Sequence, residues 1–384
     1  MSTPATQIRL LLVEDVPEVA QYIRGLLNSQ GHIRLLDVVT DGRKVSERVQ
    51  ELRPDVMVID SLLQGKVRGL GVAAALRAGG QHIPTVALAA PPWRVVADPA
   101  RGVDHVLAMP FTGYDLVNVV KMLVSKAEAE DLEHRSAVYA VYSPKGGVGK
   151  TTIAFNLAVA LKQQRDVATI LVDGNLQFGD LRALMRVPLE APSILELPAD
   201  RITDTDLAEV VWHDPSGIDV LLAPPRIELH EMVSAREIDK IIHFLRRIYP
   251  VVVIDTAADT NEKTMAFLDA ADVIIEVVTH DAMAVYSARS MAELFRALGV
   301  PPVKVRYLVN RADWTGGISS ADIAASLGRA PEFELPSGGN LVGESNNRGV
   351  PFVVADPSAP ISVAILDVAE GLTGLVAARV GAAN

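Results

Sequence analysis

No cysteine occurs among the 384 residues, which excludes disulfides, thiolate zinc sites and thiol catalysis together. Long apolar runs are also missing, since none approaches the roughly 18 residues needed to cross a bilayer. The opening stretch, Met1 to Arg9, carries no basic segment ahead of an apolar core, so no secretory leader is expected. The expected compartment is the cytoplasm, with membrane contact peripheral at most. Positive charge is scarce: 36 basic residues face 47 acidic ones, for a net charge of −11. Residues 1–135 are nearly neutral, with 15 basic and 16 acidic side chains, so the deficit lies almost wholly beyond them. A surface that acidic repels phosphate backbones, and direct nucleic-acid binding is not expected. The eight histidines (32, 82, 105, 134, 213, 230, 243 and 280) show no metal-ligand spacing. They read as surface or packing residues. No repeat of solenoid period is visible.

What is present is ordinary globular material, 49% hydrophobic and 22% charged, in a length that suits two domains. Short continuous apolar runs alternate with helical periodicity, the pattern of a parallel sheet covered on both faces. Ile8–Val13, Val56–Asp60, Thr85–Ala89 and Val103–Ala108 read as strands, with Val16–Ser29, Val72–Ala78 and Tyr114–Lys126 as helices. The Lys-, Glu-, Asp- and Arg-rich stretch 124–136 reads as the solvated end of a helix running into a linker. A second series follows. Its strands are Val138–Tyr142, Val167–Asp173, Ile218–Leu222, Val251–Asp255, Val273–Val278 and Val305–Val309. Thr151–Gln164, Ala235–Ile248 and Ala282–Leu298 are its main helices. The last stretch, Ile361–Val380, lacks the Lys/Arg-rich face of a membrane-surface helix and reads as a helix packed on the second sheet.

The strongest motif is Ser143-Pro-Lys-Gly-Gly-Val-Gly-Lys-Thr-Thr152, placed between an apolar strand and an apolar-periodic helix. That context identifies a phosphate-binding loop. Gly146, Gly147, Val148 and Gly149 let successive backbone N–H groups face phosphate oxygens, and the helix N-terminus adds a favourable dipole. Lys150 offers a cation to the β- and γ-phosphates, and Thr151 a hydroxyl to Mg²⁺, with Thr152 beside it. ATP and Mg²⁺ are the expected cofactors.

Lys145 at the head of this loop resembles the signature lysine of the deviant Walker A ATPases, the MinD/ParA group. The resemblance implies an ATP-sandwich homodimer in which Lys145 reaches the partner's nucleotide. Later motifs match in order. Asp173, after a strand, resembles the second acidic motif. Val251-Val-Val-Ile-Asp255 resembles Walker B and sets Asp255 beside Thr151 and Asp173 as the Mg²⁺ group. Asn310-Arg311 resembles the family's adenine-contacting pair. One position departs: Asn175 stands where the family carries an acid that positions the attacking water. An amide orients water without supplying negative charge, so binding is expected to survive and hydrolysis to be slow. Asp180 is the residue that would compensate.

The first part resembles the response-regulator receiver family through Glu14-Asp15 after one strand and Asp60 at the end of another. In that family these acids hold Mg²⁺ and the strand-end Asp accepts a phosphoryl group. The family also needs a Ser/Thr and a Lys, and here Ala89 and Met109 stand at those positions. The loop from Ser61 to Gly69 also reads as one residue long. Glu14, Asp15 and Asp60 are therefore expected to form a vestigial phosphoacceptor site in a pseudo-receiver that acts without phosphorylation.

The expected architecture is α/β, with two doubly wound domains. Residues 1–125 form a receiver-like (flavodoxin-like) domain, 126–136 a helical linker, and 137–384 a P-loop NTPase domain of MinD/ParA type. That fusion resembles the TadZ/CpaE proteins of Tad (Flp) pilus assembly. The resemblance implies a weakly hydrolysing homodimeric localisation factor recruited to the cell pole or inner-membrane face. Its implied partners are the pilus secretion ATPase, inner-membrane assembly proteins and a polar landmark protein. Two other readings stay open. One is a ParA/MinD-type positioning ATPase with another cargo, such as DNA or flagellar or division machinery. The other is a phosphorylation-driven regulator with an ATPase output.

Overall fold

A computed structural model describes residues 7–28, 32–63, 68–198 and 201–382. The chain divides into two compact units between Asp131 and Leu132. The first holds strands β1 (Ile8–Val13), β2 (Ile33–Val39), β3 (Val56–Asp60), β4 (Thr85–Ala89) and β5 (His105–Ala108). Its helices are α1 (Pro17–Asn28), α2 (Val45–Leu52), α3 (Gly69–Ala78) and α4 (Gly113–Arg135). The sheet order is β2-β1-β3-β4-β5, all parallel. Leu10 to Val13 and Val56 to Ile59 are wholly buried, because helices cover both faces. One face packs against α1 and against Leu116, Val117, Val120, Leu123 and Val124 of α4. The other packs against α2 and α3.

Strand order reverses between β1 and β3, which opens a crevice at the carboxyl ends of the strands. Three elements differ from the expectation. β2 lies at a sheet edge and carries Arg34 and Asp37, so its apolar signal is broken. β5 begins at His105 rather than Val103, because Val103 is taken up in a tight bridge with Asp98. Only a single turn of 3-10 helix, Pro99–Arg101, lies between β4 and β5. At the far end, α4 continues as regular helix through the expected linker to Arg135.

The second unit carries β6 (Ala137–Tyr142), α5 (Lys150–Arg165), β7 (Thr169–Gly174), α6 (Asp180–Leu184), α7 (Asp204–Val210), β8 (Trp212–His213), β9 (Asp219–Leu221) and α8 (Ala235–Arg246). It continues with β10 (Val251–Thr256), α9 (Glu262–Ala270), β11 (Val273–Val278), α10 (Ala282–Ala297), β12 (Val305–Asn310) and α11 (Ser320–Leu327). β13 (Phe333–Leu335), α12 (Gly339–Arg348), α13 (Phe352–Ala355) and α14 (Pro360–Ala382) complete it. The strands line up as β13-β12-β11-β6-β10-β7-β9-β8, parallel except for β8 against β9.

Four central strands, β6, β7, β10 and β11, are buried at every position. Helices α8, α9 and α10 cover one face. The other is covered by α5 and by Ile361, Ile365, Val368, Ala369 and Leu372 of α14. Burial on nearly all sides of α5, from Ile153 to Leu161, explains why its hydrophobicity shows almost no face. Among the described residues no helix is long and apolar enough to cross a membrane.

Candidate functional site

The loop between β6 and α5 sits at the carboxyl end of a central strand, where a parallel sheet opens to ligands. Helices α7, α8, α9, α10 and α11 all begin with a side chain accepting a first-turn N–H, from Thr203, Ser234, Asn261, Asp281 and Ser319. α5 begins instead at Gly149, in the left-handed region with φ +97°, and has no side-chain cap. Its first-turn N–H groups are left to a ligand. Gly149 also permits a close approach: a Cβ there would lie 2.7 Å from Nδ2 of Asn310. That amide donates to the Val148 carbonyl at 2.8 Å, and its Oδ1 accepts from the Arg311 backbone N–H at 2.9 Å. Asn310 thus braces the loop, and both polar atoms of its side chain are engaged.

A cavity of about 900 Å³ opens here. Gly146, Gly147, Gly149, Lys150, Thr151 and Thr152 form its floor. The acids come from the ends of neighbouring strands. Asp255, the penultimate residue of β10 next to β6, is fully buried, and neither of its carboxylate oxygens has a hydrogen-bond partner among the described residues. Burial pushes its carboxyl up to about 7, against the Thr151 hydroxyl and Lys150, which favour the charged form.

Asp173 on β7, paired in register with Asp255, is equally buried. One of its oxygens accepts from the Asn175 backbone N–H at 3.2 Å and the other is unpartnered. Burial and the Asp255 charge raise it well above the usual carboxylate range. Burial lowers the Lys150 ammonium, while Asp255, Asp180 and Asp259 act to keep it charged. Orphaned carboxylate oxygens beside a Thr hydroxyl suit a hard cation held through oxygen, and the residues present fit Mg²⁺.

Asn175 and Asp180 both line this end, and Nδ2 of Asn175 donates to Oδ2 of Asp180 at 3.1 Å. The carboxylate that the Asp173-Gly-Asn175 motif lacks is thus brought in from the first residue of α6. Asp259, which the motif reading overlooked, lines the cavity four residues past Asp255 and is held by the Thr264 hydroxyl at 2.6 Å. Its signal was the spacing Asp255-Thr-Ala-Ala-Asp259. Lys145 lies at the loop's entrance, its backbone N–H donating to Ser143 Oγ at 3.3 Å. Its charge acts on Asp281, the cap of α10, which is held low despite partial burial by Thr279 and by Lys145. Thr152 is hydrogen-bonded to Asn346 of α12.

In the first unit, ligand atoms of Glu14, Asp15 and Asp60 all lie within 4.8 Å of one another at the ends of β1 and β3. Burial pushes Glu14 up to about 7, opposed by the Val16 N–H and reinforced by Asp60 and Asp15. Asp60 is raised by burial as well. Ala89 ends β4 at its side, and Met109 packs against the apolar core between the sheet, α1 and α4. The loop after Asp60 includes residues 64–67, so its expected extra residue lies outside the described residues.

Comparison with known proteins agrees with this geometry. Residues 10–121 match the response regulator receiver domain and residues 136–299 match an AAA domain. An ATP-binding protein of Methanocaldococcus jannaschii is 23% identical over 235 residues, 61% of this chain and 87% of that protein. The crystal structure of a ParA family ATPase from Chlorobium tepidum superposes with a TM-score of 0.58 at 25% identity, over 61% of this chain and 97% of that one. The septum site-determining protein MinD of Pyrococcus horikoshii, solved with Mg-ADP, superposes with a TM-score of 0.55. It is 19% identical over 62% of this chain and 96% of that one, a likeness of fold.

Proposed function

Because the chain joins a response regulator receiver domain to a ParA/MinD-type P-loop ATPase domain, we propose that it is an ATP-dependent positioning factor of the TadZ/CpaE kind. In this reading it works as a homodimer. The observation that carries the ATPase part is a cavity lined by Lys150 and an uncapped helix N-terminus, with two buried acids, Asp173 and Asp255, on the adjoining strands, Asp255 acting on Lys150. Gly146 to Gly149 offer N–H groups to the phosphates, Lys150 faces the β- and γ-phosphates, and Thr151, Asp173 and Asp255 hold Mg²⁺. Bound Mg²⁺ supplies charge neutralisation across the phosphates. Asn175, with Asp180 behind it, orients water, so turnover is slow. Arg311 faces the nucleoside end. Lys145 acts across the dimer, on the partner's nucleotide.

The receiver serves as a docking unit that needs no phosphorylation, since Ala89 and Met109 replace the hydroxyl and cation that phosphoryl signalling uses. Its cargo in this reading is the Tad pilus machinery, through the secretion ATPase, inner-membrane assembly proteins or a polar landmark. The closely grouped Glu14, Asp15 and Asp60 favour a second reading, a working phosphoacceptor. Acetyl-phosphate labelling of Asp60 followed by mass spectrometry separates the two.

The primary test is calorimetry with MgATP and sedimentation with a non-hydrolysable analogue, on the full chain. Lys150→Ala should abolish binding, and Lys145→Ala should bind ATP yet lose the ATP-dependent part of dimerisation. Unchanged affinity in Lys150→Ala overturns the site; dimers indifferent to Lys145 overturn the sandwich. Co-purification of pilus components that depends on Lys150 would support that cargo, and a low-salt gel shift tests the DNA alternative.

A further inference from the structure

Trp314 belongs to none of the nucleotide-binding motifs, yet it lines the same cavity on the same loop as Arg311. It is a large apolar side chain left 57% exposed. The loop that carries it is pinned at several points. The Ala312 N–H donates to the Leu335 carbonyl at 2.9 Å, and the Ile318 N–H to the His280 carbonyl at 2.8 Å. Asp313 Oδ1 accepts from the Ser337 N–H at 2.7 Å. The buried His280 ring closes the same junction through the Ile318 carbonyl at 2.5 Å. Within the loop, a Cβ on Gly316 would lie 2.6 Å from Nε1 of Trp314, so only glycine lets the indole edge lie this close to the backbone. The backbone that carries the indole is therefore tied to the cavity rim on both sides of Trp314.

We infer that Trp314 is the stacking platform for the nucleobase. This rests on the proposed nucleotide site. With phosphates anchored at Lys150 and Thr151, the base is taken by the part of the cavity lined by residues from β12 onward, Arg311, Trp314 and Ser337 to Gly339. Asn310 spends one amide hydrogen and one lone pair on bracing the loop, which fixes its position at this end of the cavity. Beside it the indole offers a flat apolar face, which can stack on any base.

The test compares MgATP with Mg-tripolyphosphate, which carries the phosphates without the base, by calorimetry on the full chain. Trp314→Ala should weaken ATP about ten-fold or more, the loss expected for one stacked base, and leave tripolyphosphate affinity unchanged. Trp314→Phe should restore most of the ATP affinity. Tryptophan emission of the unaltered protein should change on adding ATP but not tripolyphosphate, and that change should vanish in Trp314→Phe although Trp93 and Trp212 remain. Unaltered ATP affinity in Trp314→Ala, or equal losses for both ligands, overturns the platform. If the unaltered protein binds neither ligand, the nucleotide site itself is wrong and the inference falls with it.

Discussion

Glu276 shows how much a single side chain can be shaped by its place in the sheet. It sits on β11 between Tyr142 of β6 and Tyr307 of β12, wholly buried, and neither of its oxygens has a hydrogen-bond partner among the described residues. Burial raises its carboxyl to about 8, only partly opposed by Arg329. Arg329 itself lies over the Tyr307 ring at 4.8 Å. Below pH 4.5 folded and unfolded chains both keep this proton. Between there and pH 8 the unfolded chain releases it while the folded chain does not, so stability falls as pH rises. Over the whole window this amounts to about 5 kcal/mol. Urea unfolding from pH 5 to 9 should show that fall, and Glu276→Gln should flatten it; parallel profiles would remove Glu276 as the cause. At the nucleotide site, Asn175→Asp should raise phosphate release several-fold with little change in ATP affinity, because the side chain would then carry charge where Asp180 now supplies it indirectly. A steady-state assay showing no gain would end the proposal that Asn175 slows turnover.

At the scale of elements, the loop after β6 is braced from β12, a strand that is not the neighbour of β6. β11 lies between β6 and β12, yet Asn310 at the end of β12 reaches over to Val148. Gly149→Ala places a side chain in a left-handed backbone conformation, which costs about 1–2 kcal/mol. It also pushes the Asn310 amide from its carbonyl. The expected result is a lower thermal midpoint together with weaker MgATP binding. Binding retained at full strength would show that the brace does not shape the loop. α8 illustrates the opposite case of a self-sufficient element. Its capping box of Ser234 and Glu237 and its buried stripe of Ile238, Ile241, Ile242 and Leu245 are both local patterns of the chain.

The whole molecule is two units, each with its own sheet and its own buried cores. Two cores of that kind unfold separately unless their interface is large and apolar. Calorimetric scans should show two transitions, and MgATP should raise only the one belonging to residues 132–382. At a ligand concentration about 100 times the dissociation constant the gain is ~2.7 kcal/mol. A single transition, or an equal shift of both, would mean that the receiver and the ATPase fold as one.

The sequence alone was enough for the α/β class of both units, and it carries locally the glycine loop after β6 and the acids Asp173, Asp255 and Asp60 near their strand ends. Those features are local: a glycine pattern, or an apolar run ending in an acid, lies within one strand and the turn after it. Parallel sheets place such strand ends on one edge, which is why Glu14, Asp15 and Asp60 lie close together. What lay beyond the sequence depends on which loops meet at that edge. Strand order set Asn310 against Val148, and the fold of the β7–α6 loop put Asp180 beside Asn175. Of the edge strands, β2 is interrupted by Arg34 and Asp37 and β13 is only three residues long, so their patterns were faint. Trp314 became a cavity wall only because its loop is tied to His280, Leu335 and Ser337, partners 21 to 34 residues away along the chain. Local chemistry is written in neighbouring residues, whereas contacts across such separations exist only once the sheet has assembled.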